Sequence, residues 1–324
     1  MTKSKKIVQS IRQITQLLQD GGKKTHQRGL PILNGLIGDQ LPPNGLLAIG
    51  MHFRQDGQDV EVDALKISPK PHPVSIFLHG LMMDESCWMG EDSKRPDYGT
   101  LLRRDLGHTV LYLRYNTGLH ISQNGRALAN LLQQFYECHG EKMSCLNLVG
   151  HSMGGLVIRS AGYYGTQEKH QWMKKLRQVV LLGSPQAGSH WEQLGHLTSS
   201  ILKKIWSLHT RLLGKIADRR SNGIKDLRWG FMLDEDWQHP NADDLLFRKP
   251  KPPPPLPGVQ YHVLAGNLFE DETSLFARYF GDGLVSQHSA TRETLGTFKL
   301  FPKTGHLRLL KSPEVGAYLK ECLQ

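Results

Sequence analysis

The sequence predicts an α/β fold in which a mostly parallel central sheet is flanked by helices and carries a helical cap insertion. Three observations lead to this prediction. From residue 46 onward, short apolar runs alternate with helical stretches, which is typical of parallel strands. The alternation stops for about seventy residues after residue 190 and then resumes. With 324 residues, the chain is long enough for one large domain with an insertion, or for two ordinary domains.

The first 45 residues are expected to form an amphipathic helical extension ahead of the main domain at 46–324. A helix is predicted at 7–18, and Gly21 and Gly22 are expected to end it. Its apolar stripe consists of Ile7, Ile11, Ile14, Leu17 and Leu18. This stripe suits docking on the main domain, and the alternative is contact with a membrane surface or a partner.

The main domain is predicted to contain a series of strands. The apolar runs that predict them are 74–78, 109–113, 146–149, 179–182, 261–265 and 297–301. Helices are expected at 122–137 and from about residue 312 to the end of the chain. Because parallel strands place their carboxyl ends at one edge of the sheet, we expect the functional loops at that edge.

The interruption at about 190–258 predicts an inserted cap. Its main helix carries an apolar face, formed by Ile201, Ile205, Leu208, Leu212 and Ile216, with basic residues around it. Such a face either packs on the domain below or contacts a lipid surface. Six prolines within 249–258 predict a stiff, extended loop that returns from the cap.

The charge balance restricts the class of partner. The formal net charge of +10, from 40 Lys and Arg against 30 Asp and Glu, favours anionic partners such as an acidic membrane surface. No nucleic acid partner is expected, because zinc-ligand spacing, a helix-turn-helix pattern and interleaved aromatic and basic residues are all missing.

The location expected from the sequence is cytoplasmic, with peripheral membrane contact as the alternative. The first residues lack the apolar core of a signal peptide, and no apolar run approaches the length needed to cross a bilayer. The four cysteines are scattered without a CxxC pair, so we expect reduced thiols: Cys87, Cys138, Cys145 and Cys322.

The most informative segment for function is 146–158, where an apolar strand runs into a glycine-rich turn and then an apolar helix. Ser152 stands in that turn, between Gly150 and Gly154 in a GxSxG pattern. A nucleophile on a sharp strand-to-helix turn needs small residues two positions before and after it, because larger side chains would collide there. We therefore predict Ser152 as a nucleophile.

A serine hydroxyl needs a base to take its proton, and in this arrangement the acid and then the histidine follow the serine in the chain. His306 comes after the last predicted strand and a short turn, so it is the predicted general base. His79 and His151 lie before or beside the serine, and we expect them to frame the site.

The acid that orients the histidine has two candidates. Asp282 stands between Gly281 and Gly283 in an exposed tight turn that could present one carboxylate to an imidazole. Asp271 lies closer to the strand at 261–265 and is the second candidate. We predict Asp282 and keep Asp271 as the alternative.

Two backbone amides are expected to form an oxyanion hole. Met153 directly follows the serine, and Leu81 follows the turn at His79 and Gly80 that ends the first core strand. Such donors stabilise the negative charge that develops on a substrate oxygen.

Four segments resemble motifs of the lipase branch of the α/β-hydrolases. These segments are 77–81 (FLHGL), 150–155 (GHSMGG), 183–189 (GSPQAGS) and 281–286 (GDGLVS). They are similar to motifs of bacterial triacylglycerol lipases and of the GPI inositol-deacylase-like family, and the resemblance spans roughly 74–320. It implies an α/β-hydrolase fold over 46–324, a Ser-Asp-His triad, a leucine amide in the oxyanion hole and a helical cap. Secretion, a calcium site and a long-chain triglyceride substrate are not carried over.

The predicted activity is hydrolysis of a carboxylic ester, with a lipid-like ester as the expected substrate class. Ser152, Asp282 and His306 are expected to act through an acyl-enzyme, and no cofactor or metal is expected. One alternative is an acyltransferase that uses the same triad. The other is a catalytically silent hydrolase fold that binds a lipid or a protein.

Overall fold

In the part of the chain that the computed structural model describes, eight strands form one sheet. The structure describes residues 22–43, 45–90, 96–186, 220–238, 252–267 and 295–324. The strands are β1 (His52–Gln55), β2 (Gln58–Val60), β3 (His72–Leu78), β4 (Thr109–Arg114), β5 (Met143–His151), β6 (Leu176–Leu182), β7 (Gln260–Gly266) and β8 (Thr297–Phe301). Their order across the sheet is β2-β1-β4-β3-β5-β6-β7-β8.

Most neighbouring strands run parallel. Only the β1–β2 and β1–β4 pairs are antiparallel among the described strands, and all pairs from β4 to β8 are parallel. The carboxyl ends of β3, β5 and β6 are therefore side by side near the middle of the sheet. The mostly parallel sheet predicted from the sequence is confirmed.

Helices cover both faces of the sheet. They are α1 (Gly22–Ile37), α2 (Tyr98–Leu106), α3 (Ile121–His139), α4 (Met153–Gln167), α5 (Asn222–Trp229), α6 (Asp234–Gln238) and α7 (Pro313–Cys322). Successive residues of β3 point to opposite faces, so Ile76 joins the core under α1, α3 and α4, whereas Phe77 joins the core under α2 and α7. Burial on both faces explains why the central strands are continuous apolar runs.

The six predicted strands are present, as are the two predicted helices, which correspond to α3 and α7. Strands β1 and β2 were not predicted from the sequence and have only four and three residues. None of the β2 residues is fully buried. A run this short carries too few residues to establish a period of two.

The N-terminal extension contains a helix that was not predicted from the sequence. This helix is α1, which begins at Gly22. Glycines and the internal Pro31 lower the helix propensity of this segment. Burial of Ile32, Leu33 and Leu36 in the core compensates for that low propensity, since packing supplies most helix stability in proteins. The helix predicted at 7–18 lies outside the described residues.

Parts of the segment between β6 and β7 are described, and these include α5 and α6. The predicted basic helix at 201–216 lies outside the described residues, so the cap remains a prediction. Within the described ranges, no helix is both long enough and apolar enough to cross a membrane.

Candidate active site

Ser152 occupies a sharp turn between β5 and α4. Its backbone has φ 53° and ψ −120°, a conformation that is unusual for any residue except glycine. The turn is fixed at its start, because the Ser152 N–H donates a 2.8 Å hydrogen bond to the carbonyl of Leu182 in β6. Ser152 is 3% exposed. The strand, turn and helix expected around this serine are all present.

The two glycines of the GxSxG pattern are sterically required. A Cβ atom at Gly150 would lie 2.6 Å from the Gly155 nitrogen. A Cβ atom at Gly154 would lie 2.7 Å from the carbonyl oxygens of both Leu78 and His79. The obstacles are backbone atoms, which cannot move without displacing β3 or α4. The chain can therefore make this turn only with glycine at both positions.

His306 lies in the loop between β8 and α7, next to the turn that carries Ser152. A Cβ atom added to Gly183 would lie 3.0 Å from the His306 Nδ1. The rings of His306 and His151 are 4.6 Å apart between centroids. Because Gly183 follows Leu182 and His151 precedes Ser152, the structure brings His306 and Ser152 into one cluster. Only 3% of His306 is exposed.

His151 is hydrogen-bonded to His306, and this bond defines the tautomer of the His151 ring. Its Nε2 atom lies 3.2 Å from the backbone carbonyl oxygen of His306. A carbonyl oxygen can only accept, so Nε2 carries the hydrogen and donates it. Burial, followed by the neighbouring His306, lowers the pKa of His151 well below its ordinary value. His151 is therefore neutral at pH 7.

The loop after β3 also approaches Ser152. A Cβ atom at Gly80 would lie 3.1 Å from the Cβ atom of Ser152. Leu81 and Met153 are both buried, and their N–H groups donate no hydrogen bond to any part of the chain that the structure describes. Two such N–H groups beside a serine hydroxyl are chemically suited to bind an anionic oxygen.

His79 holds the start of this loop. Its Nε2 accepts a 3.3 Å hydrogen bond from the Tyr115 N–H, so its hydrogen is on Nδ1, which lies 2.9 Å from the Gly80 carbonyl oxygen. The Tyr115 hydroxyl donates to the His79 carbonyl at 2.7 Å, and the two rings stack 4.4 Å apart. Burial lowers the pKa of His79, which favours this neutral form.

A buried ionic cluster follows the same loop, and no sequence pattern singled it out. Glu85 accepts hydrogen bonds from Arg54 at 2.9 Å and from two nitrogens of Arg114 at 2.7 Å each. Burial raises the pKa of the Glu85 carboxyl, but the hydrogen bonds and charges of Arg114 and Arg54 outweigh burial and hold the pKa below its ordinary value. The acidic pair at Asp84 and Glu85, directly after the turn, was the available signal.

The two candidate acids, Asp282 and Asp271, lie outside the described residues. Both belong to the segment between β7 and β8. The start of that segment contacts the loop of His306, because the Thr304 N–H donates to the Asn267 carbonyl at 2.9 Å. No three His, Cys, Asp or Glu side chains among the described residues form a set that could hold a metal ion.

A mostly parallel sheet with a serine turn after its central strand and a histidine after its last strand defines the α/β-hydrolase class. Residues 76–317 match the Alpha/beta hydrolase family. This match spans most of the chain, and the protein therefore belongs to the Alpha/beta hydrolase family. The fold class predicted from the sequence is confirmed, whereas the finer resemblance to GPI inositol-deacylase-like proteins stays a prediction.

Several solved structures are similar to this chain. The mature form of a Bacillus licheniformis lipase has 23% identity and a TM-score of 0.52, and the alignment covers 85% of this chain and 98% of the lipase. The propeptide form of that lipase has 22% identity and a TM-score of 0.52, with coverage of 79% and 51%. A Pyrococcus furiosus esterase has 15% identity and a TM-score of 0.46, with coverage of 78% and 82%. At these identities the likeness concerns the fold. No curated protein matches the chain significantly.

Proposed function

We propose that this protein is a serine hydrolase that cleaves carboxylic esters, with Ser152 as nucleophile, His306 as general base and Asp282 as the acid that orients His306. The observation that carries the proposal is the position of Ser152 on a strained turn, in one cluster with His306. A left-handed backbone at a non-glycine residue costs free energy, and such strain is concentrated at functional sites.

The proposed reaction proceeds in two steps. His306 takes the proton of the Ser152 hydroxyl while the oxygen attacks the ester carbonyl, and the amides of Leu81 and Met153 stabilise the oxyanion. His306 then gives the proton to the departing alcohol, which leaves an acyl group on Ser152. A water molecule activated by His306 releases the carboxylic acid by the same route. Each oxyanion donor is expected to contribute about 3 to 4 kcal/mol to lowering the barrier.

We propose lipid-like esters as the substrate class and an anionic membrane surface as the place of contact. The net charge of +10 and the basic amphipathic helix predicted at 201–216 support this choice, because both favour an anionic surface. The similar Bacillus licheniformis structure is described as a lipase, which agrees with an ester of this kind.

The test is hydrolysis of a p-nitrophenyl ester series from acetate to palmitate, with and without anionic vesicles. Ser152→Ala is the test variant, and Ser144→Ala is the matched control, because Ser144 is an exposed residue near the other end of β5. Turnover that requires Ser152 but not Ser144 would support ester hydrolysis. A long-chain preference that vesicles increase would support the lipid-like substrate class.

The same assay separates the alternatives. An acyltransferase would form a new ester when a competing alcohol is added, at the expense of the free acid. A wild-type protein that neither turns over any ester nor reacts with a fluorophosphonate at Ser152 would contradict the proposed function.

A further inference from the structure

The loop that carries Leu81 forms a tight turn with an unusual residue at its third position. The Met83 N–H donates to the Gly80 carbonyl at 3.3 Å, which closes a four-residue turn around Leu81 and Met82. Met82 has φ 59°, as the third residue of a type II turn requires. Glycine or asparagine is usual there, so this turn needs support from outside the loop.

Thr117 provides one support. Its hydroxyl accepts a 3.1 Å hydrogen bond from the Met82 N–H. This N–H belongs to the central peptide of the turn, between Leu81 and Met82. The direction of the central peptide distinguishes a type II turn from a type I turn. The hydrogen bond to Thr117, which is 1% exposed, therefore fixes the turn type in a place that water does not reach.

Helix α1 provides the other support. A Cβ atom at Gly35 would lie 2.4 Å from the Cγ atom of Met82, and 3.1 Å from its Cα and nitrogen atoms. The backbone of α1 thus packs directly against the central part of the turn. Any side chain at position 35 would push Met82 away from the position in which its N–H reaches Thr117.

Helix α1 is itself held in place by buried hydrogen bonds. The Asn34 side chain donates to the Leu47 carbonyl at 2.7 Å and accepts from the Ile49 N–H at 3.0 Å. The hydroxyl of Ser221, at the start of α5, donates to the Gly35 carbonyl at 2.6 Å. These hydrogen bonds fix the position of α1 against the turn. In the sequence, α1 precedes the segment that matches the hydrolase family.

We infer that Thr117 and Gly35 are positioning residues for the Leu81 N–H, so that the α1 segment sets the oxyanion hole of this protein. The inference rests on the proposed function, in which Leu81 is an oxyanion donor. Leu81 and Met82 belong to the same turn, and Gly80, the first residue of that turn, lies next to Ser152. A shift of Met82 would displace the adjoining Leu81 and so move the Leu81 N–H relative to an oxygen bound at Ser152.

The first test compares Thr117→Val with Thr117→Ser. Valine keeps the shape but removes the acceptor, so kcat is expected to fall about tenfold to a hundredfold with KM unchanged, because the donor acts mainly in the transition state. Serine keeps the hydroxyl and is expected to retain most of the activity. The affinity for a trifluoromethyl ketone analogue of the substrate should fall in the same ratio as kcat.

The second test examines the contact with α1. Gly35→Ala is expected to lower kcat, and the double variant Gly35→Ala with Met82→Gly is expected to recover most of that loss. Glycine at position 82 removes the Cγ atom that the new Cβ would meet, and it tolerates the positive φ. Circular dichroism at the assay temperature establishes that every variant is folded.

Hydrogen exchange supplies a readout that does not depend on turnover. The Met82 amide is expected to exchange faster in Thr117→Val than in the wild type, and at the wild-type rate in Thr117→Ser. If folded Thr117→Val keeps the wild-type kcat while Ser152→Ala is inactive, the inference is wrong and the proposed function stands. If the wild type shows neither turnover nor labelling at Ser152, the proposed function is wrong. The positioning role inferred for Thr117 and Gly35 is then wrong as well.

Discussion

The Nε2–H of His151 donates to the backbone carbonyl of His306 across 3.2 Å. This bond joins the turn of the proposed nucleophile to the loop of the proposed base, which are more than 150 residues apart in the chain. His151 precedes Ser152 directly, so a displacement of either residue would alter the distance between the serine hydroxyl and the imidazole of His306.

Replacement of His151 should therefore lower activity without removing any reacting group. We expect His151→Leu to reduce kcat about tenfold or more, because small displacements of reacting groups have large kinetic effects. His151→Gln is the matched control, since its amide nitrogen can still donate to the His306 carbonyl. The measurement is kcat and KM on a p-nitrophenyl ester. Equal activities of the two variants would contradict the positioning role.

The proposed nucleophile and base should be indispensable. Ser152→Ala and His306→Ala are each expected to reduce kcat by about 10⁴-fold or more while the protein stays folded. His52→Ala, at a partly exposed histidine in β1, serves as the control and should keep full activity. Full activity in either test variant would remove the proposed mechanism.

The two candidate acids should differ in their effect. Asp282→Asn is expected to reduce kcat by about 10³-fold to 10⁴-fold, because an amide favours the wrong tautomer of the base, and Asp271→Asn is expected to have a much smaller effect. The measurement is kcat for both variants under one set of conditions. The reverse ranking would transfer the orienting role to Asp271.

The buried Glu85 cluster should make stability depend on pH. The folded-state pKa of Glu85 lies below its ordinary value of 4.5. The stabilisation that ionised Glu85 gives to the folded protein is therefore fully present above about pH 4.5. It is lost as the pH falls through the folded-state pKa of Glu85. We expect Glu85→Gln to lower the free energy of unfolding by about 1 to 3 kcal/mol at pH 7, since Arg54 and Arg114 each lose one charged partner while they keep Asp59 and Asp84.

The measurement for Glu85 is urea unfolding between pH 3 and pH 7. The difference between wild type and Glu85→Gln should shrink toward the acid end of this range. The exposed Glu61→Gln is the control and should stay within about 0.5 kcal/mol of the wild type throughout. A difference that does not depend on pH would contradict the ionic role of Glu85.

Two glycines of α4 should differ in their response to alanine. Gly154→Ala places a Cβ against two backbone oxygens, and we expect it to cost about 1 to 3 kcal/mol or more in thermal or urea unfolding. Gly162→Ala meets only the end of the Leu256 side chain at 2.8 Å, and alanine favours a helix interior. We expect the second variant to be close to the wild type in stability. A similar loss in both would show that general crowding, and not the serine turn, causes the effect.

Much of the fold and part of the site could be predicted from the sequence because they depend on local patterns. The buried strands β3 to β7 are short apolar runs, and the turn at Ser152 is specified by glycines two residues away. The position of His306 after the last strand follows from strand order. Each of these features is encoded within a few consecutive residues.

The features that escaped prediction depend on contacts between distant parts of the chain. Met82 and Thr117 are 35 residues apart, and nothing in either local sequence marks their hydrogen bond. Helix α1 has poor local propensity and is stabilised by the core that it covers. The partners of Glu85 come from β1 and from the end of β4, so the cluster exists only after the sheet has formed.

Helix α1 and strands β1 and β2 precede residue 76, where the match to the hydrolase family begins. Leu36 in α1 and Phe53 in β1 are nonetheless buried in the main core, and the Phe53 ring lies 5.4 Å from that of Phe135 in α3. The hydrophobic core thus extends beyond the region that matches the hydrolase family. A polypeptide trimmed to residues 76–317 would open one side of its core to water.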